Sequence, residues 1–165
     1  MTKQRQPLNR EELLERRKAL KARLERERRL ALIADLSASL EDLKISFTVH
    51  LDREAVGWIF DHYPVVFSGI DWAKVPGSTT RPYIEEDEKD RLIAGIISEH
   101  LAPGDAVTVI FGNADTPSLS LEAQAVIRHT DLFTDECEDL WVVCPEKEFC
   151  LECYHEGYVG YKAGE

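Results

Sequence analysis

The longest regular pattern in the chain is NREELLERRKALKARLERERRLALIADLSASLEDL. It is built from strong helix formers and lies between Pro7 and Gly57, with no Gly or Pro in between. It predicts one helix from about Asn9 to about Leu43, roughly 50 Å long at 1.5 Å per residue. Asn9 is placed to cap it, Glu11 and Glu12 meet the helix dipole in the first turn, and Glu12–Arg16 and Glu25–Arg29 pair at i,i+4. Ile33, Leu36, Leu40 and Leu43 form a clean apolar stripe, but the same register carried backwards lands on Arg29, Arg26 and Ala22. The C-terminal turns are therefore expected to dock on a domain, while the N-terminal half stands on propensity and ion pairs.

From Lys44 the period changes from helical to alternating. KISFTVHL reads as a strand with Ile45, Phe47 and Val49 on one face. DREAVGWIFDHYP reads as a short helix, with Asp52 as its cap and Pro64 as its stop, and VVFSGIDW as a second strand. AKVPGSTTRPY reads as a loop. IEEDEKDRLIAGIISEH is an amphipathic helix whose buried face is Leu92, Ile93, Ile96 and Ile97. After a turn at LAPGD, AVTVIFGN is a strand, and SLSLEAQAVIRHTDLF suits a helix better than a strand.

The last stretch, LWVVCPEKEFCLECYHEGYVGYK, holds three strand-length runs separated by Glu146-Lys147-Glu148 and Glu156-Gly157, which predicts a three-strand antiparallel meander. It also concentrates Cys144, Cys150, Cys153 and His155. Along a strand, Phe149, Leu151, Cys153 and His155 face one way and Cys150, Glu152 and Tyr154 the other. A structural zinc site wants a C-x₂-C knuckle on a tight turn, and a thioredoxin-like C-x-x-C opens a helix. Small core cysteines are the simpler reading, and a metal-binding regulator using Cys144, Cys150, Cys153 and His155 is the alternative.

Charge divides the chain in two. Residues 1–44 carry twelve Lys/Arg against eight Asp/Glu, and residues 45–165 carry eight against twenty-three, within a total of −11 over 165 residues. The acids cluster at Glu85–Asp90, at Asp131–Asp139 and at Glu146–Glu156. Such a surface repels nucleic acid and anionic membranes and steers towards basic partners. No apolar run is long enough for a membrane helix, and the first residues lack the apolar core of a signal peptide, so a cytoplasmic protein with reduced cysteines is expected. The reading is α+β: a long helical segment 1–44, then an acidic domain 45–165 formed as a small α/β sandwich with a largely antiparallel sheet.

Candidate catalytic groups are His50, His62, His100, His129, His155 and Ser68, but no G-x-S-x-G elbow, phosphate-binding glycine loop or H-E-x-x-H organises them. A binding protein is expected, with no enzymatic activity and no cofactor.

DLWVVCPEKEFCLECYHEGYVGY resembles the ending of bacterial immunity proteins that neutralise polymorphic or contact-dependent-inhibition toxins. Those proteins often close with a Trp-bearing strand, a turn of Pro and acids, an aromatic strand ending near His-acid-Gly, and a short last strand. The resemblance implies stoichiometric occlusion of a basic, nuclease-type toxin. The expected contacts are Asp135, Glu136, Glu138 and Asp139 in a loop, with Glu152, Tyr154 and Glu156 on the outward face of the meander. The protein is expected to be a monomer. A helix-mediated adaptor, or a dimer through the N-terminal helix, is the rival.

Overall fold

The computed structural model describes residues 9–67 and 69–164, so Ser68 and the start of the N-terminal segment lie outside the described residues. The expected single helix is two. α1 (Arg10–Ala31) opens with a reciprocal cap, Asn9 accepting from the Glu12 N–H and Glu12 from the Asn9 N–H, each at 2.9 Å. It ends in a turn at Leu32–Ile33, and α2 (Ala34–Asp42) follows. No Gly or Pro makes this break. It places Ile33, Leu36 and Leu40 in the core, each nearly or fully buried, and three such side chains at about 1.5–3 kcal/mol apiece outweigh one or two helical hydrogen bonds at about 1 kcal/mol. Leu43, expected in the same stripe, is half exposed, and Lys44 turns into the left-handed region (φ 60°). The α1 ion pairs are Lys18–Glu15, Arg23–Glu27 and Arg28–Glu25 rather than the two expected, because Glu12 folds back to cap and Arg29 reaches across the molecule. Arg29 donates to the Leu51 carbonyl at 2.7 Å and the Asp115 carbonyl at 2.9 Å.

The body is an antiparallel sheet. Its strands are β1 (Thr48–His50), β4 (Thr79–Pro82), β5 (Ala106–Phe111), β6 (Ser118–Glu122), β7 (Leu140–Cys144), β8 (Phe149–Tyr154) and β9 (Tyr158–Lys162), in the order β1-β6-β5-β7-β8-β9-β4. β2 (Val65–Val66) and β3 (Gly69–Ile70) form a separate hairpin, followed by a 3₁₀ turn at Trp72–Lys74. The helices are α3 (Glu54–His62), α4 (Glu86–His100), α5 (Ala123–Arg128) and α6 (Thr130–Thr134). The fold is α+β, and its C-terminal meander β7-β8-β9 has the expected order.

Two strands of the sheet correct further expectations. Thr79–Pro82, read as loop, pairs with Tyr158–Tyr161 and closes one edge of the sheet. Its Ser-Thr-Thr-Arg-Pro sequence carries a turn signature, and Pro82 is tolerated because this is an edge strand. Ser118–Glu122, read as the start of a helix, is β6, where Leu119 and Leu121 alternate inward against β5. Helix propensity decides only from Ala123 onward.

Alternation gives the sheet two apolar faces. Val107, Val109 and Phe111, then Leu140 and Val142, then Phe149, Leu151 and Cys153 point to one side, where α2, α4, α5 and α6 supply Leu36, Leu40, Ile93, Ile96, Ile97, Val126 and Phe133. Ile45, Phe47 and Val49 join that cluster, as the sequence pattern predicts, as does the half-buried Leu92. Ile110, Val143 and Cys150 point to the other side, covered by Ile59 of α3, by Tyr63 just after it, and by Ile70, Trp72 and Val75 of the hairpin, the turn and the residue that follows it.

Candidate functional site

The second face hides a fully buried acid, the one such acid among the described residues. Glu152, expected on an open face of the meander, has no exposed surface and cannot touch a partner. Its carboxylate accepts from the Ile70 N–H at 3.0 Å, the Trp72 indole N–H at 2.6 Å and the Trp141 indole N–H at 3.0 Å. Burial pushes its pKa up, and the three donors pull it back. Two glycines make room. A Cβ on Gly69 would sit 3.1 Å from Glu152 Oε1 and 3.0 Å from the Tyr154 ring, and one on Gly160 would run into the Trp72 indole. The outer face of the meander is thus closed by the segment 69–72, which sequence periodicity reads only as part of a strand. A buried charge with three fixed donors is a structural lock.

The remaining predicted contacts lie at one end of the sheet. Phe111 is opposite Leu140, Leu140 is opposite Cys153, and the Gly112 N–H bonds the Asp139 carbonyl at 2.8 Å. This end therefore carries the turn before β7, the β8–β9 turn and the segment after β4. The Tyr83 N–H bonds Gly157 O at 3.0 Å and its hydroxyl bonds Tyr154 O at 2.9 Å, which brings the start of α4 alongside. Thr134 Oγ1 donates to Asp90 at 2.7 Å, tying α6 to α4. Three acidic segments far apart in sequence converge: Glu85, Glu86, Asp87, Glu88 and Asp90; Asp131, Asp135, Glu136, Glu138 and Asp139; and Glu156. The cations within them are already engaged, Lys89 buried against Glu86, Arg91 on Asp87 at 2.9 Å, and His155 on Asp139 at 2.9 Å. Ile84 stands 88% exposed among them. The acids of the first turn also favour α4 through its dipole, and Glu88 accepts from the Ile84 N–H at 3.0 Å.

These acids are not equivalent. Asp135, Glu138 and Glu156 are exposed. Glu136 is half buried, and burial, with Asp35 nearby, pushes its pKa up. Asp139 is a structural partner: it accepts from the His155 backbone N–H at 2.8 Å as well as from the ring, and a Cβ on Gly112 would lie 2.7 Å from its own Cβ. Tyr154 is half exposed and stacked near His155 and Tyr158, at 4.4 and 5.3 Å between ring centres. Burial pushes the Tyr158 hydroxyl up to about 12.

The His155–Asp139 pair gives a pH prediction. The Asp139 hydrogen bond raises the His155 pKa above the ordinary imidazole value, so the folded state holds the proton more tightly than the unfolded chain. The pair's stabilisation is present below about pH 6.5 and lost as pH rises through the folded pKa. An NMR titration is expected to place His155 above the ordinary imidazole value. Asp139→Asn should return it towards the ordinary value, and an unshifted His155 in the intact protein would refute the pairing.

The cysteines divide as the alternation requires. Cys144 and Cys153 face the α4 side, and Cys150 faces Val143 and Trp72. The sheet itself therefore stands between Cys150 and the other two, and Cys144, Cys150, Cys153 and His155 do not enclose one point. Among the described residues no group of three or more His, Cys, Asp or Glu is placed to hold a metal ion. Burial pushes all three thiols up, Cys153 to about 11. Thiol titration of the native protein is expected to find one accessible group, the half-exposed Cys137, with three more appearing on unfolding. Cys153→Ala should cost about 1 kcal/mol, and a chelator should leave the melting temperature unchanged. A chelator-induced fall would restore the metal reading.

One feature escapes the sequence entirely. Val56 and Ile59 of α3, Val65, Ile110 and Trp141 line a cavity of about 210 Å³ rimmed by Arg29, Asp52, Arg53 and Asn113. Phe67 stands at the hairpin tip with φ 56° and full exposure.

A scan against protein-family models and a search of curated proteins each return no match for this chain. Among the described residues no helix is long and apolar enough to cross a membrane.

Proposed function

We propose that this chain is a non-enzymatic binding protein of the bacterial immunity class, which neutralises a basic, nuclease-type toxin by stoichiometric occlusion in the cytoplasm. The observation that supports this reading is the convergence of three acidic segments on one end of the sheet, with their few cations already paired. That end can mimic a phosphate track and raise the encounter rate with a basic protein. Asp135, Glu138 and Glu156 are the steering charges. Ile84 and the half-exposed Tyr154 give apolar area at the centre, where binding energy concentrates. Glu152 and Asp139 are removed from the contact set, since both are committed to holding the fold.

The test is co-expression with the toxin encoded beside this gene. Protection from growth arrest, with a one-to-one complex recovered on purification, is the expected result. Failure of the intact protein to bind any neighbouring gene product would overturn the immunity reading.

A further inference from the structure

α1 has no buried residue, yet it carries five leucines, and helical geometry gives three of them one direction, with Leu14 and Leu30 to either side. Leu13, Leu20, Leu24 and Ala31 are spaced seven, four and seven apart and fall on one stripe of a helix with 3.6 residues per turn. The three leucines are 46%, 55% and 54% exposed. Arg17 and Lys21 run along one border of the stripe, which ends at Arg28, held by Glu25 and by Asp115 of the body, and Arg16 and Arg23 run along the other. Glu11, Glu15 and Glu25 are turned away from it, and Glu27 at the border is held by Arg23 at 2.7 Å. Arg29, which ties α1 to the body, lies on the side opposite the stripe. The stripe is therefore apolar at its centre, basic at both borders, and directed away from the chain's own body.

The occupant follows from charge. Two α1 helices face to face would repel, since each carries nine Lys/Arg against five Glu. An anionic membrane or a nucleic acid would be repelled by the body behind the arm, with its twenty-three acids against eight cations over residues 45–165. The surface that fits is acidic, protein-borne and has an apolar side chain at its centre. The acidic end of the sheet, with Ile84 exposed next to Glu85 and Glu86 at the start of α4, is such a surface. The arm is also rooted at that end. Arg28 meets Asp115 at 3.1 Å in the loop between β5 and β6, and Arg29 bonds the carbonyl of Leu51 just after β1, both at the same sheet end as Asp139. At 1.5 Å per residue α1 is about 33 Å long, enough to cross a neighbouring domain.

We infer that α1 docks its leucine stripe across the acidic end of a second copy, and that the exchange is reciprocal, giving a closed two-fold dimer. The inference uses the same acidic end as the toxin reading but needs no toxin, and it is tested with this protein alone. Sedimentation equilibrium of the full chain in low salt is expected to show twice the chain mass, with a dimer constant weakened at least about tenfold in high salt. Two sets of exposed variants bear on the two sides of the contact: Leu13→Gln, Leu20→Gln and Leu24→Gln on the arm, and Asp135→Lys with Glu138→Lys on the acidic end. Each set should return the protein to monomer with its circular-dichroism spectrum unchanged, and with a melting temperature that no longer depends on protein concentration. A monomer at all concentrations in low salt overturns the inference. So does a dimer abolished by the arm variants but untouched by the acidic-end variants, which would mean arm against arm. So does a monomer that binds phosphatidylserine vesicles through the leucines.

Discussion

Glu152→Ala is expected to be the most destabilising single substitution of an acid in this protein, lowering the unfolding free energy by about 3–5 kcal/mol. Three donors lose their acceptor together: the Ile70 N–H and the indole N–H groups of Trp72 and Trp141. A buried donor without a partner costs about 1–3 kcal/mol, and the removed side chain leaves a cavity as well. Glu152→Gln keeps the shape but turns an amide N–H₂ towards either the Trp72 indole or the other two donors. About 1–3 kcal/mol should be lost, depending on which contacts the amide oxygen keeps. The readout is urea unfolding followed by tryptophan fluorescence, since two of the three indoles report on this acid directly. Gly160→Ala should act in the same direction, because its Cβ would enter the space of the Trp72 ring and lift the turn from β9. A Glu152→Ala protein of unchanged midpoint would mean that the hairpin does not close on the sheet in solution.

Association with a basic partner is expected to be fast and strongly salt-sensitive, with dissociation much less so. Exposed charges act over a distance that salt screens within about 8 Å at physiological ionic strength, so steering by Asp135, Glu138, Glu156 and the start of α4 fades as salt rises. Reversing Asp135, Glu138 and Glu156 to Lys should lower the association rate at least about tenfold while leaving stability within about ±0.5 kcal/mol per site. Asp139 and Glu136 do not belong in that variant. Lys at 139 would break the bonds to His155 and face Gly112, and position 136 is half buried, so a lost interaction could then be a damaged fold. Stopped-flow mixing with the co-expressed partner at low and high salt measures both rates. Unchanged kinetics in the triple-Lys protein would remove this end of the sheet as the binding face.

Both predictions depend on how differently the two sides of β8 were legible. The alternation Phe149, Leu151, Cys153 against Cys150, Glu152, Tyr154 is visible in the sequence and correct. Which side meets water is not, because alternation gives direction but not what covers it. Glu152 reads as a solvent-facing acid until Ile70 and Trp72, some eighty positions earlier, arrive with their N–H groups. The same reasoning explains Thr79–Pro82 and Ser118–Glu122, where a long-range ladder to β9 and to β5 overrides local preference. It also explains the break at Leu32–Ile33, where burial of the stripe beats an uninterrupted helical sequence.

By itself the sequence determined whatever depends on neighbours within a turn or a pleat. That covers the N-cap at Asn9, the helical faces of α2 and α4, the order of the C-terminal meander, the α+β class and the division of charge between arm and body. These are set by periodicity and propensity, which are local. Only the tertiary structure decided what depends on residues distant in the chain: that Glu152 is a buried lock, that Asp139 serves His155, and that three separate acidic runs form one surface. The physical reason is that desolvation and long-range electrostatics act through space, and no spacing rule along the chain carries that distance.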